Sequence, residues 1–192
     1  MLTARNLSKR FGAKRVFDRV DLSLAAGDFL LVTGPNGSGK TTLLRVLAGL
    51  AAPTAGELEG PPREVVGYLG HEPLVYRELS PLENLHLFGR LYRVPERGER
   101  IGMLLERFGL WEVRRERVGT FSRGMQQRLG LCRLLLHEPS LLVLDEPFNA
   151  LDAAGAELLD ETLVELASRA VVLATHDPER VERLATARLA FA

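Results

Sequence analysis

Cysteine is almost absent from this 192-residue chain, since Cys132 stands alone. No intrachain disulfide can staple the fold, and no multi-cysteine metal centre can form. The thiol lies in the apolar run Leu129-Gly-Leu-Cys-Arg-Leu-Leu-Leu136, where it is expected to pack as a small hydrophobe rather than react. Lysine is scarce too, occurring only at Lys9, Lys14 and Lys40. There is no excess of either charge, because 25 basic side chains balance 25 acidic ones for a formal net charge of zero. With charges dispersed along the chain, nucleic acid is not the expected partner and no basic membrane-binding patch is indicated. No apolar run approaches the ~20 residues that span a bilayer, and no leader pattern opens the sequence. The expected location is the cytoplasm.

What is present is one domain's worth of chain, with enough apolar residues to bury a core of its own. Short aliphatic runs without alternation appear at Phe29–Val32, Val65–Leu69, Leu141–Leu144 and Val171–Ala174. Such runs predict strands buried on both faces of a parallel sheet. Helical patterns fall between them at Lys40–Leu50 and Ala153–Ser168. The opening segments Leu2–Leu7 and Val16–Leu24, separated by Gly12, predict a small antiparallel sheet. Ser80-Pro81-Leu82-Glu83 supplies an N-cap serine, a proline at the first helical position and the glutamate of a capping box, so a helix starts there. A second helix is expected around Ile101, Leu104, Leu105 and Phe108, ended by Gly109.

Three motifs follow one another in a fixed order. The segment Gly34-Pro35-Asn36-Gly37-Ser38-Gly39-Lys40-Thr41, followed by Thr42, matches the pattern G-x-x-x-x-G-K-[ST]. Its glycines allow backbone N–H groups to approach phosphate oxygens, its lysine reaches the outer phosphates and its hydroxyl meets Mg²⁺. Next come Phe121-Ser-Arg-Gly-Met-Gln-Gln-Arg128 and Leu141-Leu-Val-Leu-Asp145-Glu146. The four apolar residues before Asp145 set it at the C-terminal edge of a strand, where ligands of open α/β sheets bind.

With these residues the chain resembles the nucleotide-binding subunit of an ATP-binding-cassette (ABC) transporter, from Leu2 to about Ala185. The resemblance implies an α/β P-loop NTPase of ABC type, with a mainly parallel sheet core, a small antiparallel N-terminal sheet and a helical insertion. A single ABC ATPase domain is expected, residues 1–76 and 121–192 forming the core and 77–120 the helical subdomain. ATP and Mg²⁺ are the implied ligands. Lys40 resembles the lysine that neutralises the outer phosphates, Thr41 the hydroxyl ligand of the ion and Asp145 its acidic partner. Glu146 matches the general base, and His176 in Ala174-Thr-His-Asp177 matches the histidine that contacts the γ-phosphate and holds that base. Phe11, with Val16 nearby, stands where an aromatic ring meets adenine, although a phenylalanine beside a strand is also a common core residue. Ser122 and Gly124 match the signature residues that face the γ-phosphate held by a second copy, and Asn149-Ala-Leu-Asp152 matches the loop crossing that interface. The implied partners are therefore a second copy in an ATP-sandwich dimer and polytopic membrane subunits.

The chain departs from the family at Arg123 and Met125, and more seriously at His71, which stands where most members carry a glutamine that touches Mg²⁺. Tyr68-Leu-Gly-His-Glu-Pro73 and Leu82-Glu-Asn-Leu85 resemble the haem-exporter branch used in cytochrome c maturation. A general exporter of drugs, lipids or polysaccharides is the alternative. Leu74, Val75 and Tyr76 are the apolar residues expected to receive the membrane partner, or else to anchor the helical insertion. A P-loop kinase would share the first motif alone, and a DNA-repair or translation cassette would usually carry a coiled-coil insertion or a second cassette.

Overall fold

The computed structural model describes residues 1–191. Strands β1 (Leu2–Phe11) and β2 (Lys14–Leu24) form an antiparallel ribbon that reverses at Gly12, whose φ of 56° suits a residue without a Cβ. A third strand, β4 (Ala55–Glu59), completes this sheet in the order β2-β1-β4. The second sheet runs β5-β6-β7-β3-β8, from β5 (Val66–Leu69) through β6 (Leu141–Asp145), β7 (Ala170–Ala174) and β3 (Phe29–Thr33) to β8 (Ala187–Ala190). All of its pairings are parallel.

The three inner strands read as unbroken apolar runs because both faces of this sheet are covered. Phe29, Leu31, Leu142, Leu144, Val171 and Leu173 point into one core, while Leu30, Val32, Val143, Val172 and Ala174 point into another. Helix α1 (Lys40–Leu47) buries Leu43 and Leu44 in the second core, which also takes Leu2 and Leu7 of the antiparallel sheet. The first core takes α2 (Pro81–Leu91), α3 (Arg97–Arg107), α4 (Arg123–Leu135) and α5 (Ala153–Glu165). Cys132 is fully buried there, and burial pushes its thiol well above its usual pKa, so it packs and does not react.

Local signals act where they stand. The Ser80 hydroxyl accepts the Glu83 N–H at 3.3 Å while the Glu83 carboxylate accepts the Ser80 N–H at 2.8 Å, closing a capping box at the start of α2. Helix α1 is shorter than the pattern Lys40–Leu50 predicts, because Ala48 is its C-cap and Gly49 turns left-handed at φ 68°. Two polar edge strands, β4 and β8, are absent from the sequence expectation. Among the described residues no helix is long and apolar enough to cross a membrane.

Candidate functional site

The parallel sheet delivers its chemistry to one edge. The glycine loop leaves β3, His71 follows β5, Asp145 ends β6 and His176 follows β7. These are the C-terminal ends of parallel strands, where the twisted sheet opens a crevice. A cavity of about 660 Å³ lies there, and it gathers Phe11, Val16, Asn36, Gly37, Gly39, Lys40, Thr41, Thr42, His71, Asp145, Glu146 and His176, all singled out in the sequence. Lys14, Arg15 and Asn149 also line it. Sequence reasoning missed Lys14 and Arg15, although they directly follow the turn beyond Phe11, and it assigned Asn149 to the interface loop rather than to this cavity, although Asn149 stands three residues after Glu146.

The loop is shaped for an anion. Gly39 caps α1 at φ 110° and offers no side-chain cap, so the first N–H groups of the helix remain available. A Cβ at Gly39 would lie 2.7 Å from Val16 Cγ1, so glycine is required twice over. Lys40 is 7% exposed, and its ammonium donates to the carbonyls of Gly34 at 2.6 Å and Pro35 at 3.1 Å. Gly34, Pro35 and Ser38 do not line the cavity; they form the loop behind it, where the Ser38 hydroxyl is buried with no hydrogen-bond partner among the described residues.

Asp145 is 1% exposed, and its Oδ2 has no hydrogen-bond partner among the described residues. Burial raises its pKa and the neighbouring Glu146 charge adds to this, while the Thr41 hydroxyl, His71 and Arg45 act in the opposite direction. Glu146 adopts a left-handed φ of 52°, an uncommon state for a residue with a long side chain. Its Oε2 accepts the His176 backbone N–H at 3.1 Å and lies 2.8 Å from His176 Nδ1. These residues are 30 apart in sequence, and they meet because β6 and β7 are neighbours.

Phe11 is 59% exposed. Lys9 Nζ stands 5.0 Å from its centroid. Ser122, Gly124 and Asp152 are not brought into this cavity. Ser122 caps α4, its hydroxyl accepting the Met125 N–H at 3.2 Å. Gly124 packs so closely that a Cβ would lie 2.8 Å from the Ala150 carbonyl oxygen. Asp152 caps α5 through the Gly155 N–H at 2.9 Å, and its Oδ2 lies 3.8 Å from Arg128.

A family model described as ABC transporter matches residues 17–149. The cytochrome c biogenesis ATP-binding export protein CcmA of Pseudomonas syringae pv. tomato is 43% identical over 84% of this chain and 81% of that protein. The daunorubicin resistance ATP-binding protein DrrA3 of Streptomyces coeruleorubidus is 42% identical over 83% of this chain and 54% of its own length. Against three curated relatives of this kind the chain spans between 54% and 65% of their length. The ATP-binding cassette MJ0796, solved as a dimer in a post-hydrolysis state bound to ADP and Pi, superposes with a TM-score of 0.87 at 26% identity, covering 100% of this chain and 94% of that one.

Proposed function

The chain belongs to the ABC transporter family, and on that premise we propose that it is the ATP-binding and ATP-hydrolysing subunit of an export complex whose path is formed by separate membrane subunits. The observation that carries this is the Glu146 carboxylate, fixed by two donors of His176 in the cavity that also holds Lys40 and the uncapped start of α1. The triphosphate lies against Asn36, Gly37, Gly39, Lys40, Thr41 and Thr42, where backbone N–H groups and the Lys40 ammonium meet negative oxygens. Both His176 contacts use Oε2 of Glu146, which leaves Oε1 to take a proton from water. The water oxygen then bonds the γ-phosphorus as the bond to the β–γ bridging oxygen breaks, giving ADP and phosphate. His176 acts as a positioning residue for the base.

Thr41 and Asp145 fit a divalent cation, because the donors are hard oxygens and Asp145 Oδ2 is buried with no partner among the described residues. Mg²⁺ is held in such sites by one or two carboxylates together with water and substrate phosphates. Bound there, the ion would offset charge on the β- and γ-oxygens. His71 lines the same cavity; imidazole suits Mg²⁺ poorly, so we assign it as a γ-phosphate sensor through a hydrogen bond.

Ser122, Gly124 and Asp152 lie outside their own chain's cavity, and the related cassette MJ0796 is a dimer. Both facts support a composite site in which these residues complete the nucleotide pocket of a second copy. For the membrane subunits, the receiving surface is a groove of about 1000 Å³ that runs from His71 past Leu74 and Val75 to Arg123 and Gln126. Leu74 and Tyr76 are 53% and 52% exposed, and Asn84 fastens the Tyr76 backbone through both N–H and carbonyl. The helical segment 77–120 is taken as the subdomain that flanks this groove, and the working location is the cytoplasmic face of the membrane. Within the family we favour haem export for cytochrome c maturation, supported by the His71 segment and by CcmA relatives such as that of Rhizobium meliloti, 39% identical over 92% of this chain. Drug export is the second reading, favoured by the 42% identity to DrrA3.

The test is Glu146→Gln, which keeps shape but cannot accept the proton. Turnover should fall by a factor of about 10² to 10⁴ with ATP binding retained. Turnover within a few-fold of wild type would remove Glu146 as the base. Affinity capture from solubilised membranes should recover a polytopic protein, and capture of nucleic acid instead would overturn the transport reading.

A further inference from the structure

The contact between Glu146 and His176 joins two loops, and neither residue is held in place by that contact alone. The His176 side chain is 65% exposed, so packing does not fix the direction of its ring. Residues 175–180, which carry it, run without helix or strand from the end of β7 to the buried Val181. Among the described residues, two side chains of this segment hydrogen-bond outside it: His176 to Glu146, and Arg180 to Asp160 of α5. Glu146, for its part, keeps a left-handed φ of 52°. Such a backbone persists only where its surroundings over-determine it.

Arg180 supplies a second tie between the same two loops. Its Nε donates to Asp160 Oδ1 at 3.2 Å and a terminal nitrogen donates to Oδ2 at 2.7 Å, a forked pair. Its guanidinium carbon stands 4.7 Å from the centre of the Phe148 ring, within cation–π range. Phe148 lies two residues beyond Glu146 and packs against the first core, while Arg180 lies four residues beyond His176. An ion pair whose side chains are 31% and 24% exposed contributes little to stability. What the fork and the stack supply is direction, because a planar guanidinium held by two parallel hydrogen bonds and one ring face has no free rotation left. Arg180 does not line the nucleotide cavity. Resting on the hydrolytic function proposed above, we infer that Arg180 is a positioning residue for hydrolysis: anchored on Asp160 and Phe148, it locks the loop of His176 to the loop of Glu146, so that the carboxylate presents Oε1 to the attacking water.

The experiment measures ATP turnover, ATP affinity in EDTA and Tm for the full chain and for Arg180→Gln, Arg180→Lys and Asp160→Asn. Turnover is followed as release of radiolabelled phosphate with enzyme in excess, which reads slow variants. In Arg180→Gln, kcat should fall by about tenfold to 10²-fold, the scale of a misplaced reacting group. ATP affinity should stay within about twofold, and Tm should drop by at most about 4 °C. Asp160→Asn should reproduce the loss in kcat. Arg180→Lys should not rescue it, because an ammonium keeps the charge but neither forks nor stacks as a plane. The decisive measurement is a cycle with His176→Ala. If Arg180 acts through His176, Arg180→Gln should cost no more than about twofold further on that background, whereas a general loosening of the fold would cost the same on both. Turnover within twofold of wild type in Arg180→Gln, full activity in Arg180→Lys, or the full loss repeated on the His176→Ala background would each overturn the inference. His176→Ala turning over at the wild-type rate would overturn it too while leaving hydrolysis standing, and a wild type that releases no phosphate would sink the hydrolytic function and this inference together.

Discussion

Asp145→Asn should stabilise the nucleotide-free protein while disabling it. Asp145 is 1% exposed in the wild type and its Oδ2 has no partner among the described residues, so the apo fold carries the desolvation cost of a buried acceptor. Such a group costs about 1–3 kcal/mol, and an amide of the same shape removes the charge but not every unmet hydrogen bond. A gain of about 1–2 kcal/mol is therefore expected, or a rise in Tm of about 2–8 °C for a domain of this length. The sign with pH follows from the raised pKa of Asp145. Since the folded value lies above the unfolded one, the folded state is penalised at pH above the folded pKa, and the penalty fades as pH falls through it towards the unfolded value. Asparagine does not titrate, so its advantage should be greatest at neutral pH and shrink on acidification. Thermal unfolding in EDTA, followed by circular dichroism at neutral pH and in steps towards the carboxylate range, reads both effects. Adding Mg²⁺ and ATP should stabilise the wild type by mass action and the variant much less. The reasoning is refuted if the apo variant is no more stable than wild type at neutral pH, or if its advantage is independent of pH.

Lys40→Ala should weaken ATP binding at least about tenfold, since the ammonium is a charge-assisted donor to phosphate, and unchanged affinity in a calorimetric titration would contradict the phosphate assignment. The purified chain should be monomeric without nucleotide and dimeric for Glu146→Gln with ATP, read by light scattering; a dimer of the same size under every condition would argue against a nucleotide-closed interface. Ser80→Ala removes one half of the capping box and should cost about 1 kcal/mol, a fall of about 2–4 °C in Tm with ATP affinity unaltered. Exchanging His71 for Gln should preserve hydrolysis, while His71→Ala should lower stimulation by the membrane partner more than nucleotide affinity.

Much of this protein is written in local sequence. The capping box at Ser80 and Glu83, the turn at Gly12 and the left-handed Gly109 act over a few residues, so each could be placed without knowing its surroundings. The four buried strands were equally legible, because burial on both faces demands uninterrupted aliphatic side chains. The order of the glycine loop, signature and Asp145-Glu146 pointed to the family by residue type alone. Strands β4 and β8 were not legible: their residues are largely exposed, and they are strands only because β1 and β3 offer an edge to pair with. The tertiary structure also decided which residues share the site. Glu146 and His176 meet because parallel strands β6 and β7 end side by side, while Lys14 and Arg15 reach the cavity because the β1–β2 hairpin folds over the glycine loop. Motif and propensity determine what a segment is. The pairing of distant strands determines which groups stand within a hydrogen bond of one another, and no local pattern encodes that distance.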